Sequence, residues 1–344
     1  MFKAKEINSF LYIGQYSEGT TSKMRANQLI ALLNPKTVEI IDTHIPFLKT
    51  NKLLRSFGFR YKMGPLILAV NDYIQANVKG ERFDLIWVDK GVYIKPIILK
   101  ELKRKAGKIV HYTPDMAFYE NESRFFEKTI KYYDYCITTK TAEIDKYLKR
   151  IPEGKLLFVT QGFSKIIHKP FHQYHDKTNS VVFIGLAEPH RFEIAEKLLT
   201  AGIHLTIVGK KWELFVERNG HFDNLNFLGE LVYDEDYSKL ISSSKFALGL
   251  LSKRFPEYHT TRTFEIPACG TALLTEKNSE LTSFYNDDEV IFYDDADDLV
   301  EKIEYYLNNS DELEELINKG KQKVDSSGFD YESILGDLLK IILN

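Results

Sequence analysis

The stretch Glu257-Tyr258-His259-Thr260-Thr261-Arg262-Thr263-Phe264-Glu265-Ile266-Pro267-Ala268-Cys269-Gly270-Thr271-Ala272-Leu273-Leu274-Thr275-Glu276 holds a charged loop, a helix start at Glu265, a small-residue turn closing on Gly270 and an apolar strand. Two carboxylates, Glu257 and Glu265, bracket seven of these residues. A helix that returns through a glycine turn into an apolar strand is half of a strand–helix–strand crossover, the unit of a parallel sheet. Working outward, β-rich apolar runs at 181–186, 204–209, 225–229, 246–251 and 290–293 alternate with helix-period stretches and, with 272–276, make six strands. Upstream, strands at 10–14, 38–42, 84–89, 109–113, 135–140 and 156–162 repeat the pattern. Each set implies an α/β layer architecture with a doubly wound parallel sheet covered on both faces. Between the sets, 163–180 loses periodicity and holds Pro170 with His168, His172 and His175, as a hinge would. The expected organisation is an N-terminal domain over 1–165, a linker over 166–180, a second domain over 181–328 and a closing helix over 329–344 that packs back on the first domain. Open α/β sheets bind ligands beyond the carboxyl ends of their strands, so two such domains are expected to face a central cleft that holds the site.

The 344 residues agree with two domains at about 150 residues each. A composition of 44% hydrophobic and 28% charged residues is globular and excludes disorder, collagen and coiled coil. No apolar run approaches the roughly 20 residues of a membrane-spanning helix. Residues 1–9 carry Lys3, Lys5 and Glu6 without an apolar core after them, so no export signal is expected and the protein is placed in the cytoplasm. Cys136 and Cys269 sit in apolar contexts and read as reduced core thiols. With two cysteines and no histidine pair at zinc spacing, no metal site is expected. The net charge of -3 conceals a polarity: 28 Lys+Arg against 17 Asp+Glu over 1–165, and 18 against 32 over the remainder. The basic half suits an anionic partner.

The Glu257–Glu265 spacing, with Ala268-Cys269-Gly270 and Ala272-Leu273-Leu274-Thr275 behind it, resembles the Glu, seven residues, Glu signature of GT-B glycosyltransferases, nearest in character to the CgeB-like and group 1 families. The resemblance implies two Rossmann-like domains and a nucleotide-sugar donor held by the second. A carboxylate accepts two hydroxyl hydrogen bonds at once, so Glu265 would hold the ribose diol and Glu257 the hydroxyls of the transferred sugar. His259, Thr260, Thr261 and Arg262 supply donors between them, and the helix-start amides near Thr261 to Phe264 face the diphosphate. Fixed donors of this kind stabilise the departing diphosphate without a metal or other cofactor. The family's glycine-rich segment between the glutamates is replaced here by Tyr258-His259-Thr260-Thr261-Arg262.

Other strand ends add candidates. Gly185 permits close approach to a phosphate and Arg191 could clamp it, against the alternative of a tight turn with Arg191 on the surface. Lys210 follows the next strand, and Trp212 reads either as a platform for a base or as core. In the first domain, the loop with Gly14, Gly19 and Thr20 is neither a P-loop nor a dinucleotide fingerprint. The resemblance implies that it lines the cleft, with Ser22 capping the helix behind it. Asp89, Lys90, His111 and Asp115 end two further strands. An inverting transfer needs a general base on the acceptor hydroxyl, a role for Asp115, with His111 or Asp89 as substitutes, whereas a retaining transfer needs none. The signature is commonest in retaining enzymes.

Over 48–62, Lys49, Lys52, Arg55, Arg60 and Lys62 interleave with Leu48, Leu53, Leu54, Phe57, Phe59 and Tyr61, a pattern suited to an anionic membrane surface or to a solvated helix, and not to nucleic acid for want of any binding module around it. The expected function is transfer of a sugar from a nucleotide-sugar to an acceptor hydroxyl of a cell-surface glycan or a glycolipid, with peripheral attachment to the inner face of the membrane. Two rivals share the architecture: a nucleotide-sugar epimerase, and a non-catalytic nucleotide-sugar-binding protein.

Overall fold

The computed structural model describes residues 7–119 and 121–344; the expectation about an export signal rests mainly on residues 1–6, outside the described part. The chain divides into two compact units, 1–160 with 331–344, and 161–330. The first carries β1 (Ser9–Gly14), β2 (Thr37–Asp42), β3 (Phe83–Asp89), β4 (Ala106–Thr113), β5 (Tyr135–Thr138) and β6 (Leu156–Phe158), all parallel in the order β2-β1-β3-β4-β5-β6. The second carries β7 (Thr178–Ile184), β8 (His204–Val208), β9 (Leu225–Phe227), β10 (Ser244–Leu248), β11 (Ala272–Glu276) and β12 (Ile291–Tyr293), parallel in the order β12-β11-β10-β7-β8-β9. These are two Rossmann-like doubly wound sheets.

The strands read as continuous apolar runs because alternate residues serve opposite faces. In the first unit Leu11, Ile13, Ile86 and Val88 pack with Leu66, Val70 and Ile98, while Phe10, Tyr12, Leu85 and Trp87 pack with Ala26, Leu29 and Leu335. Leu335 lies on the last helix, Tyr331–Leu343, which belongs to this unit although unit two precedes it in sequence. The second unit divides in the same way, with Phe246 and Leu248 on one face and Ala247 on the other.

Residues 166–180 are not a free linker. His168 is buried, the backbone N–H groups of Phe171 and His172 both donate to Ser242 Oγ at 2.8 and 3.0 Å, and β7 starts at Thr178. These contacts bind the segment into the second unit. Cys136 and Cys269 are buried free thiols, and burial raises the pKa of Cys269 to about 12. Among the described residues no helix is long and apolar enough to cross a membrane.

One buried ion pair ties the first unit together. Arg25 and Asp89, fully buried in their side chains, meet at 2.9 Å, Ser22 Oγ donates to the same carboxylate, and the guanidinium lies over the rings of Tyr112 and Tyr331. Burial favours the neutral arginine, but Asp89 and the surrounding tyrosines outweigh it and hold the Arg25 pKa above its ordinary value. Asp89→Ala leaves that charge uncompensated, and a loss of about 3–5 kcal/mol is expected in urea unfolding followed by circular dichroism. A loss below about 1 kcal/mol would show that the pair is not what binds these elements.

Candidate active site

In the second unit the strand order turns at β7 and β10, and the loops after these two strands carry the polar residues. A Cβ on Gly209 would lie 1.8 Å from the Gly185 carbonyl oxygen, so only glycine allows this approach. That carbonyl also accepts the indole N–H of Trp212 at 2.9 Å. Trp212 is buried against Phe183, Phe192 and Phe215; it is core and no platform for a base. Lys210 is exposed, and its carbonyl accepts the Ala187 N–H.

Helix Pro189–Thr200 begins with proline, whose φ is preset for a first helical turn. Two residues on, Arg191 is buried rather than on the surface; it donates to the carbonyls of Leu186 at 2.7 Å and Leu250 at 3.2 Å, which spans the ends of β7 and β10. Burial lowers its pKa and the nearby charge of Arg262 lowers it further, while Glu188 and Glu257 act in the opposite direction. Arg191 Nε and Arg262 Nε are both buried without a hydrogen-bond partner among the described residues, as is Thr260 Oγ1. Desolvated guanidinium donors left without acceptors have the chemistry of an anion site.

Glu265 lies in helix Arg262–Ala268, 4% exposed, where its Oε2 accepts the Tyr237 hydroxyl at 2.6 Å. Pro267 inside this helix has no N–H for the Thr263 carbonyl, and the Tyr285 hydroxyl supplies the missing bond at 2.8 Å. Glu257 is half-buried and accepts the Ser252 N–H at 3.0 Å, while Ser252 Oγ is 3.0 Å from both oxygens of buried Glu188. His259 departs from expectation. Its Nε2 accepts the Gln161 N–H at 2.9 Å and its Nδ1 pairs with Glu280, so both ring nitrogens are used inside the unit. The amides of Thr263, Phe264 and Glu265 bond to the carbonyls of Thr260 and Thr261, so they are not open donors either.

In the first unit the order turns at β1 and β3, where a cavity of about 170 Å³ is lined by Gln15, His44, Phe47, Phe59, Lys90 and Asn121 among others. A Cβ on Gly14 would come within 2.7 Å of Asp89 Cβ, which accounts for the glycine that ends β1. Gly19 takes a left-handed φ of 69°, and Thr20, not Ser22, caps the helix Thr21–Leu33, its Oγ1 accepting the Lys23 N–H. Asp89 is committed to Arg25. Burial would raise the Asp115 pKa, but the Lys90 ammonium, 2.6 Å away, outweighs burial and holds the carboxyl below its usual range. His111 stacks on Phe126, its Nε2 bonds the Lys90 carbonyl at 2.9 Å, and burial lowers its pKa to about 4. Asp115 and His111 are therefore weak bases near neutral pH.

Residues 191–340 match the sequence model of the family described as glycosyl transferase-like. The whole chain superimposes on solved structures of low identity: Anabaena HepE in complex with UDP and glucose (14% identical, 96% of this chain and 98% of that one, TM-score 0.63), sucrose-phosphate synthase from Thermosynechococcus elongatus (15%, 97% and 98%, 0.68) and OtsA without ligand (10%, 97% and 99%, 0.67). No curated protein sequence is a significant match. These likenesses give the chain GT-B architecture, and the glycosyl transferase-like family model covers less than half of it. The family match supports glycosyltransferase activity, and it begins at Arg191.

The second unit brings together Glu257, Thr260, Arg262, Glu265 and Arg191, while Lys210 and His259 stand apart from that chemistry. Sequence reading passed over Glu188, Tyr237 and Ser252; a polar residue four positions after a strand was the available signal for Glu188 and Ser252. Among the described residues no cluster of three or more His, Cys, Asp or Glu is placed to hold a metal ion.

The low pKa of His111 has a pH signature. With the folded value near 4 and the unfolded value near 6.5, the unfolded chain binds the extra proton across that window. The stability is full above about pH 6.5 and falls as pH drops toward 4, by up to about 3 kcal/mol. Proton NMR should show no titration of this ring between pH 5.5 and 8, and His111→Gln should flatten the stability slope between pH 4 and 6.5.

Proposed function

We propose that the enzyme transfers a sugar from a nucleotide-sugar donor to an acceptor hydroxyl and holds the donor on its second unit. The observation that carries this reading is the pair of buried guanidinium N–H groups, Arg191 Nε and Arg262 Nε, left without acceptors in the unit that holds Glu265. A diphosphate offers the acceptors they lack, with Thr260 and Thr261 beside Arg262 and the Gly185 turn at the end of β7. Glu265 takes the ribose diol and Glu257 the sugar hydroxyls. UDP and UDP-glucose in the HepE structures support this ligand class. Two guanidiniums supply the positive charge that a departing diphosphate needs, which supports metal-independent transfer. The weak basicity of Asp115 and His111 favours a retaining course, in which neither has to deprotonate the acceptor. In the first unit, the cavity lined by Gln15, Asp89 and Lys90 takes the acceptor, a cell-surface glycan or glycolipid; Gly14, Gly19 and Thr20 are not among its lining residues.

With the cognate donor and acceptor, Arg262→Ala should lower kcat/KM by about 10²–10³, read as nucleoside diphosphate release. Release unchanged by Arg262→Ala and by Arg191→Ala would overturn the assignment of the diphosphate site. Donor incubated alone and recovered as an epimer would favour the epimerase instead.

Helices His44–Lys49 and Lys52–Tyr61 support a membrane setting for the acceptor. Leu48 is 57%, Leu53 80% and Tyr61 54% exposed, and the sequence has no acidic residue between Asp42 and Asp72. Lys62 is buried, and the apolar side chains set among the four remaining cations, Lys49, Lys52, Arg55 and Arg60, fit an anionic membrane surface at the inner face. Cosedimentation with vesicles of phosphatidylglycerol and phosphatidylcholine should exceed that with phosphatidylcholine alone, and Lys52→Glu with Arg55→Glu should reduce it by at least fivefold; equal binding to both vesicles would sink the docking surface.

A further inference from the structure

We infer that Tyr237 and His168 are positioning residues that fix the Glu265 carboxylate for the ribose diol of the donor; this rests on the donor reading above. Tyr237, on helix Asp234–Ser242, donates its hydroxyl to Glu265 Oε2 at 2.6 Å. Burial, and then Glu265 itself, raise the tyrosine pKa, so the hydroxyl stays protonated and remains a donor. His168 comes from the segment that reads as a linker, and it is 3% exposed. Its Nδ1 accepts the Ser164 N–H at 3.0 Å, and burial lowers its pKa. The neutral ring therefore carries its proton on Nε2, 3.7 Å from Glu265 Oε1. The His168 and Tyr237 rings meet edge to face with centroids 5.6 Å apart, which holds the two groups in one unit.

A carboxylate has about four lone-pair directions. Tyr237 occupies one on Oε2 and His168 flanks Oε1, leaving the others for hydroxyls. A glutamate has three side-chain torsions, and the Tyr237 hydrogen bond on one oxygen, with the His168 N–H 3.7 Å from the other, restricts that freedom before the ligand arrives. Neither residue touches the ligand in this arrangement. Their effect passes through Glu265, so it appears only with ligands that carry the diol.

The test measures binding of UDP, GDP, ADP and CDP by isothermal titration calorimetry, then compares the tightest binder with its 2′,3′-dideoxy analogue. Glu265→Ala should weaken the ribonucleotide by tenfold or more and leave the dideoxy analogue within twofold. Tyr237→Phe should weaken the ribonucleotide by about five- to tenfold, again with the dideoxy form unchanged. His168→Leu should act in the same sense, and His168→Gln, which keeps an N–H donor, should recover part of the loss. Thermal melting identifies any variant that fails to fold, and Tyr237→Phe alone then suffices. If Glu265→Ala is selective for the diol but Tyr237→Phe is silent, or weakens both nucleotides equally, the positioning role is wrong while the donor reading stands. If Glu265→Ala itself shows no selectivity, or no nucleotide binds the wild type, the donor reading fails and the positioning role fails with it.

Discussion

Every strand pair in both sheets is parallel, and that constraint orders the rest of the molecule. Parallel strands need crossover helices, the helices cover both faces, and the sheet interior has no position where a charge meets water. Polar chemistry is displaced to the carboxyl ends, where strands give way to loops. Asp89 shows the cost of staying at the edge of that interior: it is tolerated at the end of β3 because Arg25 and Ser22 satisfy it. The same pair recruits Tyr331, so a residue at the far end of the chain helps to close the first unit.

The second unit shows the opposite use of buried charge. Arg191 is anchored by two carbonyls, and burial and then Arg262 depress its pKa, yet the Nε–H of each arginine remains without an acceptor. In a purely structural pair these groups would be satisfied, as Arg25 is by Asp89 and Ser22. Here Glu188 lies 3.6 Å from Arg191 Nη2, yet neither Nε is bonded: Glu188 receives Ser252 Oγ, Glu257 the Ser252 N–H and Glu265 the Tyr237 hydroxyl. An unsatisfied buried donor carries a desolvation penalty, and an incoming anion that relieves it binds more tightly for that reason.

All twelve strands were legible because continuous apolar runs between turn signals leave little else to be, and β11 was read at 272–276, the bounds it has in the structure. Strand ends were less legible. A polar residue after a strand serves a ligand or satisfies its own protein, and the sequence does not distinguish the two: Arg191 and Arg262 keep open donors, whereas His259 spends both nitrogens on Gln161 and Glu280, residues 98 and 21 positions away. Trp212 stays open between platform and core for a similar reason, since the indole partner that settles it as core is a carbonyl in a different turn. The segment 166–180 reads as a linker because its partners are distant in sequence: Phe171 and His172 donate backbone N–H groups to Ser242 Oγ, Lys177 Nζ donates to the Ser242 carbonyl, and the Tyr174 hydroxyl to that of Ser310.

The first unit bears on how the reaction's demands are divided. Glycosyl transfer can draw on a base at the acceptor or on stabilisation of the leaving group, and a base works best with a pKa near the working pH. Burial takes His111 to about 4, and the Lys90 ion pair holds Asp115 low, so the groups at the end of β4 supply little driving force for proton abstraction. Were Lys90 absent, burial would raise Asp115 toward the range where it could accept a proton; the lysine, held in a left-handed conformation with φ 64°, removes that option. On the proposed reading, stabilising the departing diphosphate through Arg191 and Arg262 then carries more of the barrier reduction, because fixed donors in a desolvated site pay no reorganisation when the charge develops. On that same reading the two features reinforce each other: an acceptor side poor in bases and a donor side with unspent N–H groups place selectivity for the transition state with the leaving group.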